Sequence, residues 1–492
     1  MINTLIRACG ITGIAVLASI LVSARADAAP LRLQDCRLES TVVRSSVKAR
    51  CGWFEVNEDR NDSKSKRIRI HVAVVAASRK EALRDPLVVI SGGPGQAASD
   101  FYLSSAGAFE RLRADRDIVV IDQRGTGKSN RLDCKLPDET ETARFDAELI
   151  KKFSRECLQH LPGDPRFYST SVAVQDLDEI REALGYGQIN LYGISYGTRV
   201  AQHYLRRYPA HVRSVVLDGV VPVEAALGPE IAPAAQAALD SILERCASQT
   251  DCRQAFPNVK EELAQLRAQL TRTTIDLSVP DPRTALATRL DFGYMHMAVA
   301  LRLYSYSDDT ASLLPFLIHE AAQNRVGPMA AQALSISRSL DEQIANGMHN
   351  AVVCTEDIPF ITAAARSDPA IERSYLRSVF VETLDAMCSV WPRGVIDENF
   401  HAPLQSETPV LLLSGENDPV TPSAYGTQAA KHFARGRHLI FPGQGHGQLM
   451  TACGVSVVRR FIEAGSADKL ATECLTNVQP APFVVDANGP TP

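Results

Sequence analysis

The sequence lacks an excess of positive charge: its 492 residues include 52 lysines and arginines against 57 aspartates and glutamates, a formal net charge of −5. Nucleic-acid-binding proteins usually present a strongly basic surface, so this balance argues against nucleic acid as the main partner. Beyond residue 28 the sequence also lacks an apolar run of the roughly 20 residues that a membrane-spanning helix needs. A chain of this length is too long for one compact core, so two domains or one domain with a large insertion are expected.

The sequence also lacks the spacings of the common metal and nucleotide sites. No cysteine pair is spaced with histidines as in a zinc site, and no metal is predicted. A glycine loop that ends in Lys128 and Ser129 partly matches a phosphate-binding loop. The position of the first glycine in that motif is held by Asp122, so we reject a nucleotide-binding function for this loop.

The first 28 residues have the composition of a secretory signal peptide. Residues 1–7 contain one arginine, residues 8–22 form an apolar run, and residues 24–26 or 26–28 offer a small-x-small cleavage site. The run is too short and wrongly flanked for a membrane span, which makes an uncleaved anchor the less favoured alternative. We expect a periplasmic or secreted protein with no membrane span after cleavage. The sequence does not distinguish these two locations and does not give the oligomeric state.

Cysteine usage agrees with export. Of eleven cysteines, Cys9 lies in the predicted signal peptide, so ten remain, an even number. Pairing of successive cysteines is one connectivity among many. Each such bridge would close a short loop and stabilise the fold by about 2–4 kcal/mol in an oxidising compartment. The candidate pairs are Cys36 with Cys51, Cys134 with Cys157, Cys246 with Cys252, Cys354 with Cys388, and Cys453 with Cys474.

The segment around Ser195 carries the clearest chemical signal. An apolar strand pattern ends in Gly193-Ile-Ser-Tyr-Gly197, and a helical pattern follows from about residue 198. This is G-x-S-x-G between a strand and a helix, where a sharp turn exposes the serine hydroxyl and the glycines keep Cβ atoms out of the turn. The five residues alone would more often form an ordinary turn. Their flanking strand and helix favour a nucleophilic serine.

Further apolar runs of strand length alternate with helical patterns. They begin near residues 86, 117, 190, 214, 409 and 437, and residues 30–77 add a β region with polar–apolar alternation. Strands that alternate with helices predict an α/β fold with a mostly parallel sheet and helices on both faces.

Between residues 223 and 405 the pattern changes to alanine-rich helices. A block of this kind, inserted between strands, is expected to form a helical cap over the carboxyl ends of the strands, where α/β sheets bind ligands. The tail is proline-rich and expected to be poorly ordered. The predicted segments are a signal peptide (1–28), the first part of the core (29–222), the cap (223–405), the second part of the core (406–477) and the tail (478–492).

A serine nucleophile needs a base within hydrogen-bond reach, and that base is usually oriented by a carboxylate. Serine hydrolases on α/β sheets have the chain order Ser, then Asp or Glu, then His. Here Ser195, Asp418 and His446 occur in that order, each directly after a predicted strand. Glu416 is the alternative acid, two residues earlier.

Backbone N–H groups are expected to complete the site. In serine hydrolases of this layout, a glycine loop after an early buried strand supplies one N–H of an oxyanion hole, and the residue after the nucleophile supplies the other. In this chain the corresponding strand begins near residue 86. The candidates are Gly92 and Gly93 in the first loop, and Tyr196 after the serine.

Four short motifs are spread along the chain beyond the signal peptide, and the likeness that they indicate covers most of it. They are Gly-Gly-Pro-Gly (92–95), Asp-Gln-Arg-Gly-Thr-Gly-Lys-Ser (122–129), Gly-Ile-Ser-Tyr-Gly (193–197) and Gly-Glu-Asn-Asp-Pro-Val-Thr-Pro (415–422). Together they resemble the proline iminopeptidase and tripeptidyl aminopeptidase family of α/β hydrolases. The long cysteine-bearing cap is most similar to the secreted bacterial tripeptidyl aminopeptidases.

The resemblance implies an α/β-hydrolase fold and an enzyme that cleaves short N-terminal pieces from peptides with a free N-terminus, without a cofactor. It also implies that cap carboxylates bind the substrate amine. Residues 354–359 resemble the family's cysteine–acid–proline segment, which assigns this role to Glu356 and Asp357. One departure is Ser91, where many relatives have histidine before the oxyanion glycines.

Two alternatives to an aminopeptidase remain open at this point. The same fold and triad serve carboxylesterases, since function depends on the site rather than on the fold. A non-catalytic binding protein on a hydrolase fold is the other alternative, although such proteins typically lose a triad residue. Epoxide hydrolase and dehalogenase chemistry would need an aspartate nucleophile, and Ser195 argues against it.

Overall fold

The computed structural model describes residues 30–40, 42–134, 146–281 and 284–490. The predicted signal peptide, residues 1–28, lies outside these ranges. Within them, no helix combines the length and the apolar character needed to cross a membrane.

The strands form one large sheet and one small one. Their bounds are β1 Gln34–Glu39, β2 Ser46–Asn57, β3 Arg67–Val75, β4 Leu83–Ile90, β5 Arg116–Ile121, β6 Ile189–Ile194, β7 Val212–Asp218, β8 Ile275–Pro280, β9 Ala287–Phe292, β10 Val410–Gly415 and β11 Gly436–Phe441. The large sheet has the order β1-β2-β3-β5-β4-β6-β7-β10-β11. The pairs β1–β2, β2–β3 and β3–β5 are antiparallel. The pairs β5–β4, β4–β6, β6–β7, β7–β10 and β10–β11 are parallel. The prediction of a mostly parallel sheet is confirmed.

The α-helices fall in three groups along the chain. Before the cap they are α1 Ala98–Ser104, α2 Ala106–Leu112, α3 Ala147–His160, α4 Thr170–Ala183 and α5 Tyr196–Arg207. In the cap they are α6 Ile231–Ser248, α7 Thr250–Ala255, α8 Val259–Leu270, α9 Tyr294–Tyr304, α10 Asp308–Ala311, α11 Leu314–Ala322, α12 Gly327–Gln343, α13 Asn346–Glu356, α14 Ala363–Arg366, α15 Pro369–Arg373 and α16 Val379–Cys388. After it come α17 Ser423–Ala430 and α18 Ala452–Ala464.

The central strands are buried on both faces. Every residue of β10 is buried, and the apolar runs of β4 to β7 are nearly so, as expected for parallel strands covered by helices on each side. Helices α4 and α5 share one apolar cluster with this sheet. Helices α1, α2 and α18 share another, on the opposite face. Because these strands are parallel, their carboxyl ends lie at one edge of the sheet, where the loops that follow them meet.

The cap builds an apolar cluster of its own, with side chains from α6, α8, α9, α11 and α12. It also contains the antiparallel hairpin β8–β9, which the sequence did not predict. Ile275, Leu277 and Val279 of β8 alternate with polar residues as in a half-buried strand, but this signal is short and lies within an otherwise helical block. Helix α3, from the first part of the core, packs against α16 of the cap.

The tail contradicts the prediction of poor order. The ring of Phe483 is buried within the apolar cluster of the cap, and the guanidinium of Arg245 lies over it at 3.8 Å from the ring centroid. The backbone N–H of Val484 donates to the Ser312 carbonyl at 3.2 Å. One buried aromatic residue and its partners on the cap outweigh the disorder that the proline-rich composition suggests.

Within the described residues, five disulfides join cysteines that follow one another in the chain. The pairs are Cys36–Cys51, Cys134–Cys157, Cys246–Cys252, Cys354–Cys388 and Cys453–Cys474. Their Cα atoms are 5.0 to 5.8 Å apart, which is the usual range for a bridge. Disulfides of this number are typical of proteins that fold in an oxidising compartment.

Candidate active site

Ser195 occupies a strained turn between a strand and a helix. Strand β6 ends at Ile194 and helix α5 begins at Tyr196, so the serine alone makes the turn. Its φ of 55° and ψ of −126° lie in a region that side-chain-bearing residues seldom adopt. The turn is held from both sides, because the Ser195 N–H donates to the Asp218 carbonyl at 2.8 Å and the Thr198 N–H donates to the Ser195 carbonyl at 2.9 Å.

The two glycines of the motif permit this turn to form. A Cβ atom on Gly193 would lie 2.3 Å from the carbonyl oxygen of Gly197. A Cβ atom on Gly197 would lie 2.4 Å from the carbonyl oxygen of Ile90 at the end of β4. Both positions therefore exclude a side chain, and the backbone packs closely enough for the serine to stand at the edge of the sheet.

The predicted acid and base lie together on neighbouring loops. Asp418 follows β10 and His446 follows β11, and these strands are parallel and adjacent. The Nδ1 atom of His446 and Oδ2 of Asp418 are 2.7 Å apart. The other carboxylate oxygen accepts the backbone N–H groups of Val420 and Thr421 at 3.0 and 2.8 Å. Asp418 is thus fixed by its own loop and presents one oxygen to the imidazole.

The carboxylate of Asp418 raises the pKa of the His446 imidazole. Burial would lower the pKa of the imidazole, but the adjacent carboxylate and its hydrogen bond outweigh burial and raise that pKa above its ordinary value of 6.5. Since Nδ1 faces the carboxylate, it carries the proton of the neutral ring. The Nε2 atom is then the one available to accept a proton.

Asp218 links the loop of His446 to the turn of Ser195. It ends β7 and is fully buried, and its carboxylate accepts the N–H groups of Gln448 and Leu449 at 2.8 to 3.0 Å. Its carbonyl holds the N–H of Ser195. The same aspartate therefore anchors both segments, although sequence analysis assigned it no role. An acid at the end of a buried strand, as at Asp418, is the signal that could have indicated it.

The imidazole lies against the backbone next to this aspartate. A Cβ atom on Gly219 would lie 2.8 Å from Cε1 of His446. A Cβ atom on Gly447 would lie 2.9 Å from the side chain of Ile194, the residue before the serine. His446 and Ser195 are therefore neighbours at the edge of the sheet. Among the hydrogen bonds of the described residues, none involves the Ser195 hydroxyl.

The predicted oxyanion loop also lies against Ser195. A Cβ atom on Gly92 would come within 3.0 Å of Cβ and 3.6 Å of Oγ of Ser195. Gly93 has a φ of +106°, a conformation that glycine adopts readily. Tyr196 is the first residue of α5, where backbone N–H groups have no acceptor within the helix. In place of the histidine found in relatives, Ser91 donates its hydroxyl to the Gln96 carbonyl at 2.6 Å, so it supports the same loop.

The structure places Glu356 next to the nucleophile turn, through one intermediate residue. Its carboxylate is fully buried and accepts the backbone N–H of Thr170 at 2.6 Å and the Thr170 hydroxyl at 2.9 Å. The oxygens of the Thr170 hydroxyl and the Tyr196 phenol are 2.7 Å apart. Thr170 was not singled out from the sequence, because the contact joins residues 186 positions apart.

Asp357 has a different partner. Its two carboxylate oxygens accept from the guanidinium of Arg199 at 2.8 and 3.2 Å, and one also accepts the N–H of Leu227 at 2.7 Å. Glu356 lies farther from Arg199, with 3.6 Å between the nearest nitrogen and oxygen. Burial raises the pKa of Glu356 to about 7, and the guanidinium and Thr170 offset only part of this effect. The arginine therefore neutralises Asp357, and Glu356 has no cation to itself.

Residues with metal-ligating side chains are dispersed. Within the described ranges, no group of three or more histidine, cysteine, aspartate or glutamate side chains is arranged to hold a metal ion.

The fold and this geometry agree with comparisons to known proteins. The family model described as the alpha/beta hydrolase fold matches residues 85–452, and the chain therefore belongs to the α/β-hydrolase fold family. Among curated proteins, the chain is 26% identical over 491 residues to the serine protease Hip1 of Mycobacterium tuberculosis, covering 90% of this chain and 91% of that protein. It is 24% identical over 502 residues to the tripeptidyl aminopeptidase of Streptomyces coelicolor, covering 94% and 89%.

The tripeptidyl aminopeptidase is a relative that the sequence motifs led us to expect, and the predicted α/β-hydrolase family is confirmed. Family and relatives together support hydrolase activity for this chain.

Proposed function

We propose that the protein is a periplasmic or secreted serine hydrolase that removes short N-terminal segments, proline or a di- or tripeptide, from peptides. The observation that carries the hydrolase part is the strained Ser195, which stands beside an imidazole that Asp418 holds. The peptidase part rests on the buried Glu356 behind Tyr196, and on the tripeptidyl aminopeptidase relative.

In the first half-reaction, Ser195 Oγ attacks the scissile carbonyl and a bond forms between oxygen and carbon. His446 Nε2 accepts the hydroxyl proton and passes it to the leaving nitrogen as the C–N bond breaks. Asp418 stabilises the imidazolium, and its hydrogen bond to Nδ1 leaves Nε2 as the nitrogen that accepts the serine proton. Water then attacks the acyl-enzyme with the same histidine as base, which releases the acid and restores Ser195.

Negative charge develops on the carbonyl oxygen during both attacks. Gly92 packs against the serine, and the loop of Gly92 and Gly93 therefore brings backbone N–H groups to this oxygen. The N–H of Tyr196, at the start of α5, is the second donor. Donors that are already oriented stabilise the transition state without reorganisation, and loss of one typically costs about 100-fold or more in rate.

Glu356 is the proposed acceptor for the substrate amine. A carboxylate has about four acceptor positions, and Thr170 occupies two of them, which leaves acceptor positions for the hydrogen bonds of an ammonium group. Asp357 neutralises Arg199 and would support this role indirectly. The ionised form of Glu356 is the one that binds a cation, and a pKa of about 7 means that this form is well populated at neutral pH.

The test is hydrolysis of two matched fluorogenic amide series. One series carries a free amine on one-, two- and three-residue acyl groups, and the other carries the same groups acetylated. Wild type, Ser195→Ala and Glu356→Gln are compared, with Ser104→Ala, an exposed serine, as the control substitution. We expect turnover of the free-amine series alone, a loss of several orders of magnitude in Ser195→Ala, and a selective rise in KM in Glu356→Gln.

Equal turnover of both amide series would show that no free amine is recognised and would remove the role of Glu356. Turnover of simple esters alone would establish an esterase. A fluorophosphonate probe that labels wild type and Ser104→Ala but fails to label Ser195→Ala would exclude a non-catalytic binding protein.

A further inference from the structure

A cavity of about 370 Å³ lies between α3 and the cap helices α9, α12, α13 and α16. This volume falls at the lower end of the range for small-ligand sites. Its lining is mostly apolar, with side chains that include Ile150, Phe153, Leu334, Leu340, Phe380 and Met387.

One cationic side chain, Arg302 of α9, lines this apolar cavity. Its guanidinium lies over the ring of Phe380 at 4.9 Å and over that of Tyr306 at 5.9 Å. One terminal nitrogen donates to the Tyr306 hydroxyl at 3.2 Å. The Nε atom is buried and has no hydrogen-bond acceptor. Within the described part of the chain, no carboxylate forms an ion pair with Arg302.

Two chains of contacts connect the cavity lining to the proposed catalytic residues. Tyr306, which holds Arg302, packs the edge of its ring against His446 with 5.3 Å between centroids, and its carbonyl accepts the His446 N–H at 2.6 Å. On the other side, the cavity-lining His349 reaches the Pro94 carbonyl, next to Gly93. A substrate acylating Ser195 would therefore have part of its chain within reach of the cavity.

An arginine carries five N–H donors, and most of those of Arg302 are not used by the protein. Arg302 is half-buried, and partial removal of its charge from water is unfavourable unless an anion compensates it. The two aromatic faces compensate it only in part. A carboxylate matches the planar, forked donors of a guanidinium better than any neutral group does.

We propose that Arg302 binds a carboxylate side chain in the acyl segment that is released. The enzyme then prefers substrates with an aspartate or glutamate among their first three residues, and the apolar walls accommodate the rest of that segment. This inference rests on the proposed function, because it assigns the cavity to the N-terminal side of the scissile bond.

The test compares free-amine tripeptidyl amides that differ only by an acid and its neutral amide, Glu against Gln and Asp against Asn, at each position in turn. The measured quantity is the ratio of kcat/KM within each pair, which does not depend on the folded fraction of a preparation. Wild type should favour the acid at one position at least 10-fold. Arg302→Met should bring the ratio close to one, and Arg302→Lys should retain part of it.

Arg245→Met is the matched control. Arg245 is another cap arginine that stacks on an aromatic ring and has a buried Nε without an acceptor, but its partner is Phe483 of the tail. The acid preference should be unchanged in this variant. Binding of the same peptide pairs to Ser195→Ala protein, measured by calorimetry, should reproduce the ratios without turnover.

A wild-type ratio of one or less at every position, or a ratio unchanged by Arg302→Met, would overturn the proposal. Acetylated esters with acidic and neutral acyl groups separate the two hypotheses. If such esters were cleaved with an Arg302-dependent acid preference while peptide amides were not, the aminopeptidase proposal would fail and the anion site would stand.

Discussion

Replacement of Glu356 by glutamine should change how the stability of the protein depends on pH. The pKa of this buried carboxyl is raised from 4.5 to about 7 in the folded protein, since burial disfavours its charge. The folded state therefore binds the proton more tightly than the unfolded state does. The contribution of Glu356 to stability is greatest below pH 4.5 and is lost as the pH rises through about 7.

The magnitude follows from the same two values. At about 1.4 kcal/mol per pH unit, the interval from 4.5 to about 7 corresponds to roughly 3 kcal/mol in full. Most of this change, about 2–3 kcal/mol, falls between pH 5 and pH 8. Glutamine has nearly the same volume and does not ionise, so the variant should lack this part of the pH dependence.

The assay is urea unfolding at pH 5, 6, 7 and 8 with the disulfides intact, followed by tryptophan fluorescence. The free energy of unfolding of Glu356→Gln, minus that of wild type, should rise by about 2–3 kcal/mol from pH 5 to pH 8. Glu398→Gln, at an exposed position in the cap, is the control and should show no such rise. A difference for Glu356→Gln that stays constant with pH would refute the reasoning.

Three further substitutions test other parts of the structure. Gly197→Ala should lower kcat/KM about 100-fold or more, since the new Cβ meets a carbonyl of β4, whereas Gly107→Ala, with open space around it, should leave kcat/KM unchanged and raise Tm slightly. Joint replacement of Cys354 and Cys388 by serine opens a bridge that spans 34 positions and should lower the unfolding free energy by about 2–4 kcal/mol, measured by urea unfolding. Phe483→Ala should lower it by about 3 kcal/mol, measured by thermal unfolding, and an unchanged Tm would contradict the packing of the tail.

The parts of the molecule that sequence analysis predicted are those with local signals. The strand, turn and helix around Ser195 are encoded within about twenty consecutive residues, and the strands that carry Asp418 and His446 are plain apolar runs. Chain order and strand ends then placed the acid and the base, because parallel strands end at one edge.

The parts that it did not predict depend on contacts between distant segments. Thr170 meets Glu356, and Asp218 meets Gln448, only once the sheet and the cap are assembled. The cavity around Arg302 draws on five helices, none of which has an unusual pattern. Local periodicity in the sequence carries no information about contacts between distant segments.

The docked tail gives the cap a further attachment to the core, in addition to the packing of α16 on α3 and the hydrogen bonds between Glu356 and Thr170. The chain enters the cap after β7 and leaves it before β10, so two segments connect the cap to the sheet covalently. A domain connected at two points can rotate about the axis through them in a hinge motion. Phe483 of the tail packs into the apolar cluster of the cap. Rotation of the cap relative to the sheet therefore requires that this ring leave the cluster or that the tail move with the cap. Affinity tags and fusion partners appended after residue 492 would therefore act on the segment that docks on the cap, and a tag inserted directly after the predicted signal peptide is the safer choice for measurements of turnover.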